Sequence, residues 1–86
     1  MKNEQQLQYP VECHMSVIVE SGREGTERAL QDALVAFKVT APLSKGATVS
    51  SGRYHAWRVT VKVNSSEELH AVDKILRAVK GVRMVV

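Results

Sequence analysis

Apolar and polar residues alternate along two long stretches of the chain. From position 11, Val11, Cys13, Met15, Val17 and Val19 share one parity, and Glu12, His14, Ser16, Ile18 and Glu20 share the other. A period of two is that of a strand with one wet side. The alternation returns further on, where His55, Trp57, Val59, Val61 and Val63 oppose Tyr54, Ala56, Arg58, Thr60 and Lys62. The valines mark the core side of this second long strand. Trp57 is expected to be the largest single contributor to that core, with a loss of about 3–5 kcal/mol on its removal.

Each long strand leads into a helical pattern. Ser21-Gly-Arg-Glu-Gly25 breaks the first strand, and two glycines so close mark a loop with unusual backbone angles. Thr26 is expected to cap the helix that follows, with Glu27 in its first turn favoured by the macrodipole. Leu30, Ala33, Leu34 and Phe37 then recur at helical spacing and predict the face packed on the sheet. After the second long strand, Ser65 and Glu68 fit a capping box. Leu69, Val72, Leu76 and Val79, with Ile75 beside them, form the second buried stripe. Lys74, Arg77 and Lys80 sit near the favourable C-terminal end, and Gly81 is the expected left-handed cap.

The remaining segments are shorter. Pro42 and Gly46 interrupt residues 38–50, which predicts a bent edge strand over residues 43–50, with Ser51-Gly52 as a tight connection. Residues 82–86 predict a last short strand with Val82, Met84 and Val86 inward. Residues 1–8 read as a flexible tail and residues 9–86 as a single domain. The order is β-α-β-β-α-β. Right-handed crossovers then give an α+β, ferredoxin-like βαββαβ sandwich: a four-stranded antiparallel sheet, two helices on one face, the first and third strands central.

Composition narrows the classes of function. At 86 residues there is room for one core. No apolar run approaches the ~20 residues that cross a bilayer. The N-terminus Met1-Lys-Asn-Glu-Gln-Gln-Leu-Gln is polar with no hydrophobic signal core, which points to the cytoplasm and away from the membrane. Cys13 is the one cysteine, so an internal disulfide and a Cys-x-x-Cys metal or redox pair are excluded, and its apolar neighbours make it a small buried hydrophobe. The formal charge of +3 is mild, and the basic residues are spread rather than blocked.

The chain resembles the YbeD-like family of small bacterial proteins of unknown function. The resemblance is carried by Tyr9-Pro10 before the first strand, Ser51-Gly52-Arg53-Tyr54 entering the third, the helix start Ser65-x-x-Glu68-Leu69, and the ending Val82-Arg83-Met84-Val85-Val86. It implies a ferredoxin-like fold similar to the ACT regulatory domains, which often bind small ligands such as amino acids and pair through their sheets. It implies no activity, no cofactor and no catalytic residues. The chain departs from the family at Arg23-Glu24 in the first loop and at the strand ending Val17-Ile18-Val19-Glu20.

Acylphosphatases share the layout and use a loop arginine with an asparagine. Arg23 is in a suitable loop, but the phosphate-cradling pattern around it is missing and Asn64 stands at a helix entrance, so no enzyme is expected. Heavy-metal domains of this layout hold the ion with two cysteines in the first loop, and this chain has none there. His14 and His55 fall on opposite faces by parity, and His70 lies in the second helix, so no metal site is expected. Two binding surfaces remain. One is the glycine loop, with Gly22, Arg23, Gly25 and Thr26, whose backbone N–H groups at a helix start suit a carboxylate or phosphate. The other is the open sheet face, with His14, Ser16, Tyr54, Arg58, Lys62 and Arg83 among the apolar Ile18, Ala56 and Val85. These readings make the chain a non-enzymatic regulatory or binding module for a small metabolite or a protein partner, with homodimerisation through the sheet face or edge as a further use of the sheet. The alternative is a weak, phosphate-directed RNA-binding domain on the open face, although only Tyr54 is aromatic there.

Overall fold

The structure is a computed structural model that describes residues 8–49 and 52–86. Its elements are β1 (Val11–Glu20), α1 (Thr26–Ala33), β2 (Lys38–Val49), β3 (Tyr54–Val63), α2 (Ser66–Arg77) and β4 (Val82–Val85). The sheet order is β2-β3-β1-β4, all neighbours antiparallel. The two long alternating strands are therefore the central pair, as their length predicts. Their register runs unbroken from Val11 opposite Val63 to Glu20 opposite Tyr54.

One continuous core holds the helices to the sheet. Leu30 of α1 and Leu34 just after it, Val72 and Leu76 of α2, and Met15, Val17, Val19, Val59, Val61, Val63 and Val85 of the strands belong to one buried cluster. Both helices thus cover the same face. Each fully buried Leu or Val contributes about 1.5–3 kcal/mol of transfer free energy. The second helix starts as its sequence dictates. Ser65 Oγ accepts from the Glu68 N–H at 3.1 Å, and Glu68 Oε1 accepts from the Asn64 N–H at 2.6 Å. Gly81 ends the unit at φ 95°, a left-handed angle that disfavours any side chain.

The structure corrects the sequence reading at four places. β2 begins at Lys38 rather than at residue 43, and it bends by irregular pairing at three points between Val39 and Thr48. Ser50 and Ser51 lie outside the described residues, as does the tail over residues 1–7. Thr26 does not cap α1. Gly25, at φ 83°, occupies the cap position, and the Thr26 hydroxyl turns back to donate to the Arg23 carbonyl at 3.2 Å. α1 is short and ends at Ala33, with Phe37 packing on the core from beyond it.

The last strand is out of the expected phase. Ile18 pairs with Met84 but Val19 pairs with Val82, so Arg83 is an extra residue on the β4 side. A bulge of this kind reverses the parity of the residues after it. Val85 is consequently buried at 7% exposure, whereas Met84 and Val86 are exposed at 49% and 67%. Val85 is thus a core residue and not a member of the open face, and Met84 takes its place there. Finally, Trp57 is half-buried and packs against the edge of the core, while the fully buried side chains are leucines and valines. Trp57 lies near the β3 start, where it also lines a pocket with the β1–α1 loop.

Candidate functional sites on the β1–α1 loop and the open sheet face

The loop from Ser21 to Gly25 takes its shape from two glycines, Gly22 and Gly25, both at φ 83°. It packs beside the start of β3. Residues 22–27, with Lys45 from β2 and His55 and Trp57 from β3, line an open pocket of about 480 Å³. The pocket brings together three of the chemistries a small polar ligand needs: cations, carboxylates from Glu24 and Glu27, and an aromatic wall.

Contacts within the pocket divide its groups into engaged and free. Arg23 is engaged. Its Nη2 lies 3.2 Å from Glu20 Oε1, and its side chain lies so close to Gly81 that a Cβ there would meet Arg23 Cδ at 2.6 Å. His55 Nδ1 shares a hydrogen bond of 3.2 Å with Ser21 Oγ, and the His55 ring meets the Trp57 ring edge-on, with centroids 5.9 Å apart. Trp57 Nε1 is buried with no hydrogen-bond partner among the described residues. An unpaired buried donor costs about 1–3 kcal/mol. Of the loop residues singled out from sequence, Gly22, Arg23, Gly25 and Thr26 all line the pocket. Lys45, His55 and Trp57 were not assigned to it. The available signal was His55, a polar residue at a core position of its strand.

The open face does not form one platform. The pleat sets Glu12 opposite Lys62, His14 opposite Thr60, Ser16 opposite Arg58 and Glu20 opposite Tyr54. Lys62 therefore faces a carboxylate across the strands. At the other end Arg83 lies over the Tyr54 ring, with its Cζ 5.9 Å from the centroid. Only His14, Ser16 and Arg58 come together. They line a depression of about 330 Å³ with Thr60 and with Pro42 and Ser44 of the bent β2. His14 Nδ1 and Thr60 Oγ1 are 2.9 Å apart. For RNA this is a poor surface, because its one aromatic is already stacked and its cations alternate with Glu12 and Glu20.

Other chemistry is not assembled. Among the described residues no three His, Cys, Asp or Glu side chains are grouped to hold a metal ion. His14 and His55 sit on β1 and β3 but on opposite faces, since His14 pairs with Thr60 and His55 with Val19. Burial raises the Cys13 thiol above its ordinary pKa, which keeps it protonated and unreactive near neutrality. No helix among the described residues is long and apolar enough to cross a membrane.

Comparison with solved structures places this arrangement among known folds. The chain is similar to the ACT domain of GTP pyrophosphokinase from Chlorobium tepidum, in its crystal structure, at a TM-score of 0.70 and 16% identity over 87% of this chain and 94% of that one. The solution structure of that same domain aligns at a TM-score of 0.67 and 16% identity, over 88% and 83% of the two chains. The solution structure of protein HP0495 from H. pylori aligns at 0.71 and 15% identity, over 100% of this chain and 94% of that one. At these identities the likeness is one of fold, and the fold is ACT-like. No curated protein matches the chain. Residues 4–86 match the family described as "Protein of unknown function (DUF493)", and the chain belongs to that family.

Proposed function

We propose that this protein is a cytoplasmic, non-enzymatic regulatory module that binds a small charged metabolite in the pocket beside the β1–α1 loop. The observation that carries the reading is a pocket beside the glycine-shaped loop that presents Lys45, two carboxylates and Trp57 together. A ligand carrying both a carboxylate and an ammonium group, such as an amino acid, matches that set. Its carboxylate meets Lys45 and the loop N–H groups, and its ammonium meets Glu24 or Glu27. The ACT-like fold supports the reading, since domains of this fold commonly bind small ligands. Nothing in the pocket activates a nucleophile, and its one histidine is held by Ser21.

Trp57 is the single tryptophan of the chain, so fluorescence excited selectively over Tyr9 and Tyr54 reports on the surroundings of Trp57. Titration with a panel of amino acids and related carboxylates is expected to change the Trp57 emission for at least one compound. The same compound is expected to raise the melting temperature, and Lys45→Ala is expected to weaken its binding at least tenfold. A panel that moves neither emission nor melting temperature sinks the small-ligand reading.

A further inference from the structure

The depression on the open face, remote from the loop pocket, has its own chemistry. Three features define it. First, among the described residues Arg58 is the only Lys or Arg that lines it, and no carboxylate does. Glu12 and Glu20, the acidic residues of β1 on this face, are each two same-face pairs away from Arg58, or about 13 Å at strand spacing. Among the described residues Arg58 takes part in none of the ion pairs, which join Arg23 to Glu20, Arg28 to Asp32 and Arg77 to Asp73. Second, Arg58 is flanked by a serine on each side, Ser16 on β1 and Ser44 on β2, at its own register position. Third, the backbone of β2 makes room for it. A Cβ at Gly46 would lie 3.4 Å from Arg58 Nε and 3.2 Å from the Ala56 carbonyl oxygen. Gly46 has no left-handed φ to require glycine, so close approach to the Ala56 carbonyl oxygen, with Arg58 in contact beside it, is the physical reason for a residue without a side chain.

The irregular pairing of β2 between Ala41 and Ser44 then curls the strand so that Pro42 walls the depression. The floor is the His14–Thr60 hydrogen-bonded pair.

We propose that this is a second binding site, for the phosphate group of a small molecule, with Arg58 as its anchor. A guanidinium offers a planar fork that matches two oxygens of a phosphate. The Ser16 and Ser44 hydroxyls donate to the oxygens on either side, and the free ring nitrogen of His14 faces the rest of the ligand. One cation in a walled depression suits a single phosphate and not a polyanion. RNA needs a run of phosphates met by several cations, and here Lys62 faces Glu12 while Arg83 covers Tyr54.

The test is a titration of the full chain followed by nitrogen–proton NMR, including the Arg Nε–Hε signals, with inorganic phosphate, adenosine monophosphate, acetate and a ten-residue oligouridine. Expected are saturable shifts of Arg58 Nε–Hε and of the Ser16 and Ser44 amides with phosphate and the nucleotide, weaker ones with acetate. Arg58→Ala is expected to abolish them, and Arg58→Lys to weaken binding at least tenfold by removing the fork. Gly46→Ala is expected to weaken binding severalfold by displacing Arg58. An unchanged Trp57 emission during the phosphate titration separates this site from the loop pocket. Absence of shifts at these residues, shifts that survive Arg58→Ala, or oligouridine binding tighter than the nucleotide and collapsing with salt each overturn the proposal.

Discussion

The two faces of the sheet are built from the same central strands, one residue out of phase, and they have opposite properties. On the helix side, Val17, Val19, Val61 and Val63 are fully buried together with Leu30, Val72 and Leu76. On the open side the same strands carry His14, Ser16, Arg58 and Lys62, none of them fully buried. The helix side does one thing with many interchangeable apolar residues. The open side separates into small polar groupings, each with its own partner. What the contrast teaches is where specificity can reside. A close-packed apolar layer holds the fold and discriminates little, whereas a face of isolated polar groups contributes little to stability and is free to recognise a ligand.

The comparison is broken first by a cavity. Leu76→Ala, at a fully buried position, is expected to lose about 2–5 kcal/mol in urea unfolding. The protein as a whole has only roughly 4–12 kcal/mol to lose, so this variant tests whether the helix side carries the fold. A substitution at Gly81 comes next. Gly81→Ala forces a side chain into φ 95° and against Arg23 Cδ, and is expected to cost about 1–2 kcal/mol. Ser65→Ala removes the α2 cap and is expected to cost about 1 kcal/mol. The smallest expected effect sharpens the contrast most. Arg58→Ala on the open face is expected to stay within about 0.5 kcal/mol of the parent in unfolding while removing the phosphate response. A loss from Arg58→Ala as large as that from Leu76→Ala contradicts the division of labour between the two faces.

The legible part of the fold was the part governed by period and capping chemistry. β1 and β3 were read to the residue, because ten residues of strict alternation leave one register that buries the valines. The start of α2 was read from Ser65 and Glu68 and its end from Gly81. The loop after β1 was legible as residue types, since two glycines this close mark a turn with left-handed backbone angles. Its company was not. Lys45 reaches the loop pocket only because β2 pairs with β3, and His55 and Trp57 line it only because β3 starts beside the loop. The long reach of β2 was obscured by Pro42, which an edge strand tolerates because one side of it needs no donor.

The sequence by itself determined the class of fold, the two central strands, which of their faces is apolar and which loop is glycine-shaped. These are local properties: periodicity, caps and left-handed backbone act within a few residues. Tertiary structure alone decided the phase of β4, where one extra residue at Arg83 turns Val85 inward and Met84 outward. It alone set Lys62 opposite Glu12 and Arg83 over Tyr54, left Arg58 without an ion pair among the described residues, and placed Arg58 against Gly46 between two serines. Those outcomes depend on which strand lies beside which and on a one-residue slip between them, and pairing across the sheet is not written in the spacing of any single segment.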